Sequence, residues 1–296
     1  MMRNTMCPDG SANKNNAMKP RTKAVLLLLL TGLLWSMGGV FIKTSDTNPF
    51  VIASFRSLIA ALTVFIFLKG KPKFTFSRPQ IIGAVAYGFT LNAFVISTSL
   101  TTAANAVLLQ YASPLWVCIF AFFLLHEKPR RFDIVAIAVI LFGVGLLLSN
   151  KAEGTSMPGN IIAILSGVGL SLFIVSLRMQ KDGKPPYETV LLGNLFTFAV
   201  GLPFFFIDPP QAQALAPIAI MGVFQAGIPY IFYVMASKNA RTIDLTILPM
   251  LEPVMNPVWV YLGTGEAPGI RSLVGGGILL AVVVAQSLFS VRTQEE

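Results

Sequence analysis

Histidine, cysteine and charge are what this sequence has least of, and each shortage excludes something. Its two cysteines, Cys7 in a polar tail and Cys118 in an apolar run, are too few and too far apart in sequence for a disulfide framework. No CxxC or HExxH spacing and no cluster of ligating side chains occurs, so no metal and no cofactor is expected. The one histidine, His126, falls at the end of an apolar run and reads as an anchor at the membrane surface. No Walker A loop is present, which argues against a pump driven by ATP. Charged residues make up only 12% of the chain, against roughly 25% in a soluble domain.

What fills the chain instead is apolar: 54% hydrophobic residues, 23 of them Phe, and a mean hydropathy of +0.72. The net charge of +9 does not point to nucleic acid, because the basic residues fall between the apolar runs. The expected partners are a lipid bilayer and a small-molecule substrate. The first run, AVLLLLLTGLLWSMGGVF, is long enough to span and ends without a small-residue cleavage pattern, so it reads as a retained span. Residues 1–23, rich in Asn and Lys, read as a disordered cytoplasmic tail.

A membrane-crossing helix needs about 20 apolar residues. Ten such runs are expected, at about 24–43, 49–68, 79–99, 102–125, 132–149, 159–178, 188–207, 216–236, 242–262 and 270–290. Short separators with turn residues, such as KGKPKFTFSRP, HEKPRRFD and QKDGKPP, part them. Eighteen of the 22 Lys and Arg then fall on one side, three on the other (Lys43, Lys151, Arg271), and Arg56 lies within a span. That bias places both termini in the cytoplasm.

An offset of 139 residues aligns QYASPLWVCIFAFFLLHEKP (110–129) with PMLEPVMNPVWVYLGTGEAP (249–268). It pairs Pro114 with Pro253, Glu127 with Glu266, and Ser113 with Glu252. Five spans precede the second half, so the halves enter the membrane from opposite sides. Inverted repeats of this kind mark secondary transporters with a midplane site between the halves. The chain thus reads as an all-α polytopic membrane protein of ten transmembrane helices in two inverted five-helix repeats.

SPLWVCIFAFFLLHEKP and EPVMNPVWVYLGTGEAP, with LLWSMGGVFIK in span one and FRSLIAAL in span two, are similar to the EamA repeat of the drug/metabolite transporter superfamily. Residues 24–150 and 159–290 read as its two copies. The resemblance implies a cavity lined by spans 1, 3, 4, 6, 8 and 9, with spans 5 and 10 peripheral. From the family's characterised branches it also implies export of amino acids and other small metabolites.

Two charges lie near mid-span, Arg56 and Glu252. Each costs about 2.5–3.5 kcal/mol at the bilayer centre, so each should face the bundle interior. Glu252 reads as a group that exchanges a proton for a substrate cation, or as a carboxylate fixed by Arg56 or by free backbone N–H groups. Arg56 reads as a bundle tie, or as a planar fork for a substrate carboxylate. Pro249, Pro253 and Pro257 recur every four residues on one helix face. They deprive the carbonyls of Leu245, Pro249 and Pro253 of their helical donors, so the segment is a candidate hinge. Pro114 plays the corresponding part in the first half, and Gly227 with Pro229 forms a further candidate. Trp35, Tyr87, Asn92 and Tyr233 belong to the polar and aromatic mid-span set, but Gln110, Tyr111, Gln225, Tyr230 and Asn256 are favoured as cavity residues because the resemblance puts their spans there. Glu127 and Glu266 read as helix-start carboxylates. The glycines at 275–277 read as a close helix contact. They also admit a homodimer seam, for which the sequence offers no further support.

An enzyme is not expected, because no acid or nucleophile dyad lies within the spans. The alternatives kept open are an exchanger or importer of nucleotide-like or cationic substrates, and a facilitative channel.

Overall fold

A computed structural model describes residues 18–38, 41, 47–101, 103–148, 156–180, 186–264 and 270–292. Among these every regular element is a helix: α1 (Pro20–Trp35), α2 (Pro49–Phe67), α3 (Arg78–Leu100), α4 (Ala103–Gln110), α5 (Ser113–Phe120), α6 (Arg131–Leu148), α7 (Met157–Met179), α8 (Tyr187–Ile207), α9 (Ala212–Ile220), α10 (Ile228–Ser237), α11 (Asp244–Ile247), α12 (Leu251–Thr264) and α13 (Ile270–Arg292). Prolines open α1, α2, α3, α5, α7 and α10, where a missing N–H costs nothing. Asn48 and Ser156 cap α2 and α7 by accepting from the N–H groups of Phe50 and Gly159.

Polar and charged side chains are buried within the apolar core, and large apolar side chains cover the outside. Arg56, Asn92, Gln110, Asp133, Asn194, Gln225, Asp244, Glu252 and Gln286 are buried. Phe123, Phe142, Phe206, Ile207 and Leu262 stand outward. An apolar exterior of this extent calls for lipid. Seven helical stretches among the described residues are long and apolar enough to cross a membrane: Pro49–Phe67, Arg78–Leu100, Ala106–Leu125, Met157–Met179, Tyr187–Ile207, Ala212–Ser237 and Val274–Arg292. The other expected spans coincide with α1, α6 and the α11–α12 rod, whose described stretches are shorter or interrupted.

Three rods are broken or distorted. The first is interrupted by a turn at Tyr111–Ala112 between α4 and α5. The second widens to a π-helix over Met221–Gly227, because Pro229 has no N–H for the carbonyl of Gln225 four residues earlier. The third tightens to a 3-10 turn over Leu248–Met250, under Pro249. The offset of 139 places the turn residue Tyr111 on Met250, so the first and third breaks occupy equivalent positions.

Two local expectations are corrected. Helix α1 starts at Pro20, so residues 20–23 are helical rather than tail; Arg21 is held in place by hydrogen bonds to Ser290 and Asp244. Within the 275–277 run, a Cβ at Gly276 or Gly277 would meet nothing within 4 Å, so these two make no close helix contact, while Gly275 is buried. The reason is their facing: α13 meets Gly143 of α6 through Ile278 and Leu279 instead.

Candidate functional site

The halves pack on each other through small residues, and this sets the site. Gly32 of α1 lies so close to the 3-10 turn that a Cβ there would sit 2.5 Å from the Pro249 carbonyl oxygen. Gly222 of the π-helix lies flush against α2, where a Cβ would be 2.5 Å from that of Ile59 and 3.0 Å from the Arg56 carbonyl oxygen. The π-turn then presents Gln225 to the Arg56 side chain.

Trp35, Arg56, Thr90, Leu91, Phe94, Gln110, Gln225, Ala226, Tyr230 and Glu252 line one small, partly open cavity, about 30 Å³ in volume. The mid-span cation and the mid-span carboxylate therefore share it. Arg56 is 1% exposed. Its Nη1 donates to Gln225 Oε1 at 3.0 Å. Its Nε and Nη2, the other edge of the planar group, are buried with no partner among the described residues. Glu252 accepts a 2.6 Å hydrogen bond from the Tyr111 hydroxyl. The tie between Arg56 and Glu252 allowed by the sequence is not made as an ion pair. Gln110 donates to Ser166 Oγ at 3.1 Å.

Trp35 forms an aromatic wall with Tyr230 and Tyr233, at centroid separations of 4.9 and 5.5 Å. Tyr87 extends the wall, 4.6 Å from Tyr230. Of the carbonyls that the prolines leave without helical donors, that of Leu245 accepts from the Tyr233 hydroxyl at 2.8 Å. The carbonyl of Pro249 has the Tyr111 hydroxyl at 3.4 Å.

Of the favoured residues, Gln110, Gln225, Tyr230, Arg56 and Glu252 come together at the cavity, and Tyr111 joins them through Glu252. The side chains of Asn256 and Pro257 lie outside the described residues. Pro114 is buried in the first turn of α5, beyond the break rather than within it. Trp35 was not among the favoured residues, yet it lines the cavity with its indole N–H unpartnered among the described residues. Its mid-span place in the first apolar run was the available signal. Span 2 contributes Arg56 to the lining, which the resemblance did not imply, and span 6 supplies only Ser166, behind Gln110.

A second cluster lies at the end where Lys and Arg concentrate. Arg21 pairs with Asp244 at 3.3 Å, Arg178 with Glu127 at 3.6 Å, and Arg241 with Asp133. Each pair joins the first half of the chain to the second. Asp133, Asp244 and Gln286 are fully buried, and the Gln286 amide donates to Asp244 at 2.7 Å and to Asp133 at 3.5 Å. Ser290 donates to Asp244, and Thr242 to Glu127. Glu127 is thus a cross-half tie rather than only a helix-start charge, while Glu266 lies outside the described residues. Beside this cluster a second cavity is lined by Cys118, Glu127, Asp133, Arg241 and Thr242 among others.

Known proteins resemble this chain in sequence, and one solved structure in fold. An uncharacterised transporter from Archaeoglobus fulgidus is 24% identical over 87% of this chain and 93% of its own. The pseudopaline exporter CntI of Pseudomonas aeruginosa is 21% identical over 89% of this chain and 95% of its own. The human solute carrier family 35 member G1 is 24% identical over 72% of each. One solved crystal structure, 20% identical, superposes with a TM-score of 0.77 over 92% of this chain and 99% of the other, and so shares the fold. The model of the EamA-like transporter family matches residues 22–149 and again 157–287. With two copies of that unit covering most of its length, the chain belongs to the EamA-like transporter family and is an integral membrane transporter of the drug/metabolite superfamily.

Proposed function

We propose that this transporter exports small zwitterionic metabolites, amino acids or close relatives, across the cytoplasmic membrane by alternating access of two inverted five-span halves. The observation that carries the reading is the Nε–Nη2 edge of Arg56, unpartnered among the described residues, in the same cavity as Glu252. That edge matches a carboxylate in two parallel hydrogen bonds. Glu252 is the complementary partner for an ammonium, and the wall of Trp35 and Tyr230 accepts an apolar side chain. When no substrate is bound, a proton neutralises Glu252, so substrate and proton exchange at one carboxylate. The exporter among the relatives supports the direction. The three cross-half ion pairs support alternating access: they close the end that charge counting assigns to the cytoplasm, and they must part for that end to open.

A thermal-shift screen of the purified protein against amino acids, simple amines, simple carboxylates, nucleotides and polyamines tests this. A ligand of the native state at 100 times its Kd stabilises by about 2.7 kcal/mol. The expected result is stabilisation by zwitterions above either half-molecule, lost in Arg56→Gln and in Glu252→Gln. Stabilisation by nucleotides or polyamines alone, or an amino-acid shift that both variants retain, overturns it.

A further inference from the structure

The Tyr111 hydroxyl has one proton and two acceptors. Glu252 Oε2 lies at 2.6 Å and the Pro249 carbonyl oxygen at 3.4 Å. Both acceptors belong to the same broken rod. Pro253 has no N–H, so the Pro249 carbonyl lacks the donor four residues ahead that a regular helix supplies. The equivalent loss at Leu245 is met separately by Tyr233. Tyr111 itself sits in the break of the first-half rod, at the position equivalent to Met250. The hydroxyl therefore bridges the two symmetry-related breaks, at the point where Gly32 of α1 packs on the Pro249 carbonyl.

We propose that Tyr111 is a positioning residue that reports the state of Glu252 to the proline-broken rod. With Glu252 ionised, Tyr111 donates to the carboxylate across this contact. When Glu252 takes one proton from the cavity, its own O–H becomes the donor and the Tyr111 oxygen the acceptor. The Tyr111 proton then turns about the C–O bond to the Pro249 carbonyl. No covalent bond at Tyr111 breaks, and the single proton gained stays on Glu252. Protonation thereby strengthens a bond across the two breaks and against α1, which links the carboxylate to the contact between halves. The other charged or titratable groups about Glu252 are Arg56 from α2 and Tyr230 from α10, both in the cavity. Tyr233 from α10 is committed to Leu245.

The inference rests on Glu252 being the proton-exchanging group, and the test separates the two. Substrate counterflow in proteoliposomes is measured against pH for the wild-type protein, Glu252→Gln, Tyr111→Phe and Pro253→Ala, with the melting temperature of each as a folding check. Glu252→Gln should flatten the profile. Tyr111→Phe removes the charge-assisted bond to the ionised carboxylate as well as the neutral bonds of the protonated state, and because the charge-assisted bond is the stronger kind its pH midpoint should rise. Pro253→Ala supplies the Pro249 carbonyl with a backbone N–H, so the protonated state gains less and the midpoint should fall. Opposite displacements are not expected of a residue that only packs. A wild-type pH profile in Glu252→Gln overturns the reading of Glu252. A flat Glu252→Gln profile with wild-type midpoints in Tyr111→Phe and Pro253→Ala overturns the relay alone. Should Tyr111→Phe fail to fold, the Pro253→Ala midpoint decides.

Discussion

Arg56 matters for its shape as much as for its charge. Gln225 occupies Nη1 and fixes the plane of the guanidinium, leaving Nε and Nη2 side by side for a second planar group. Lysine keeps the charge and loses that edge. Arg56→Lys should therefore weaken zwitterion binding by about 10-fold or more, from a charge-assisted hydrogen bond of about 1.5–3 kcal/mol, with little change in the stability of the substrate-free protein. Isothermal titration of the two proteins reads this directly. Gly32 makes a different kind of contribution, since its neighbour is backbone rather than a side chain that can turn away. Gly32→Ala should cost about 1–3 kcal/mol and appear as a lowered melting temperature. At this scale Arg56 and Glu252 were legible in the sequence because a charge in the middle of an apolar run has to be explained. Asp133 and Asp244 were not. They stand at run ends, where a carboxylate looks solvated, yet both are fully buried, among Arg21, Arg241 and the Gln286 and Ser290 side chains of α13. Trp35 was visible as a mid-span aromatic, but nothing in the sequence distinguishes a cavity wall from a packing ring.

The elements owe their function to where they fail to be regular. Run length and hydropathy make the rods readable, and the prolines mark that some are broken. They do not say what form the break takes. Pro114 looks like the breaker of the first-half rod, yet the turn lies ahead of it, at Tyr111–Ala112, and Pro114 serves as the opening of α5. Pro229 turns the preceding segment into a π-helix rather than a kink, and the extra residue in that turn brings Gln225 to Arg56. Pro229→Ala returns the N–H to the Gln225 carbonyl and allows a regular helix. The expected outcome is a protein at least as stable as the wild type that has lost most of its substrate affinity, because Gln225 rotates off Arg56. Melting temperature and titration measured on the same preparation check both halves of that statement.

At the scale of the molecule, internal similarity told one half from the other, as the two family matches bear out. What joins the halves was not legible. Arg241 and Asp133 are 108 residues apart, Arg21 and Asp244 are 223 apart, and spacing along a chain carries no trace of such pairs. The C-terminal helix α13, expected at the periphery, packs on α6 and also sends Gln286 and Ser290 into the cluster that holds the halves together. Breaking it should open that end. In a Cys7→Ser background, Asp133→Asn should raise the rate of maleimide labelling of Cys118, which lines the cavity beside the cluster, by about 10-fold or more. Loss of one partner of a buried pair is worth about 3–5 kcal/mol, ample to move a two-state equilibrium by that factor. An unchanged rate would mean that the ion pairs do not close this end.

The most direct test of the account is counterflow. Proteoliposomes preloaded with an unlabelled amino acid that stabilises the protein are supplied with the labelled compound outside. Binding between alternating halves predicts saturable uptake that the internal substrate accelerates, and its loss in both Arg56→Gln and Glu252→Gln. Uptake that rises linearly with concentration and ignores the internal substrate, or exchange at full rate in either variant, would contradict it.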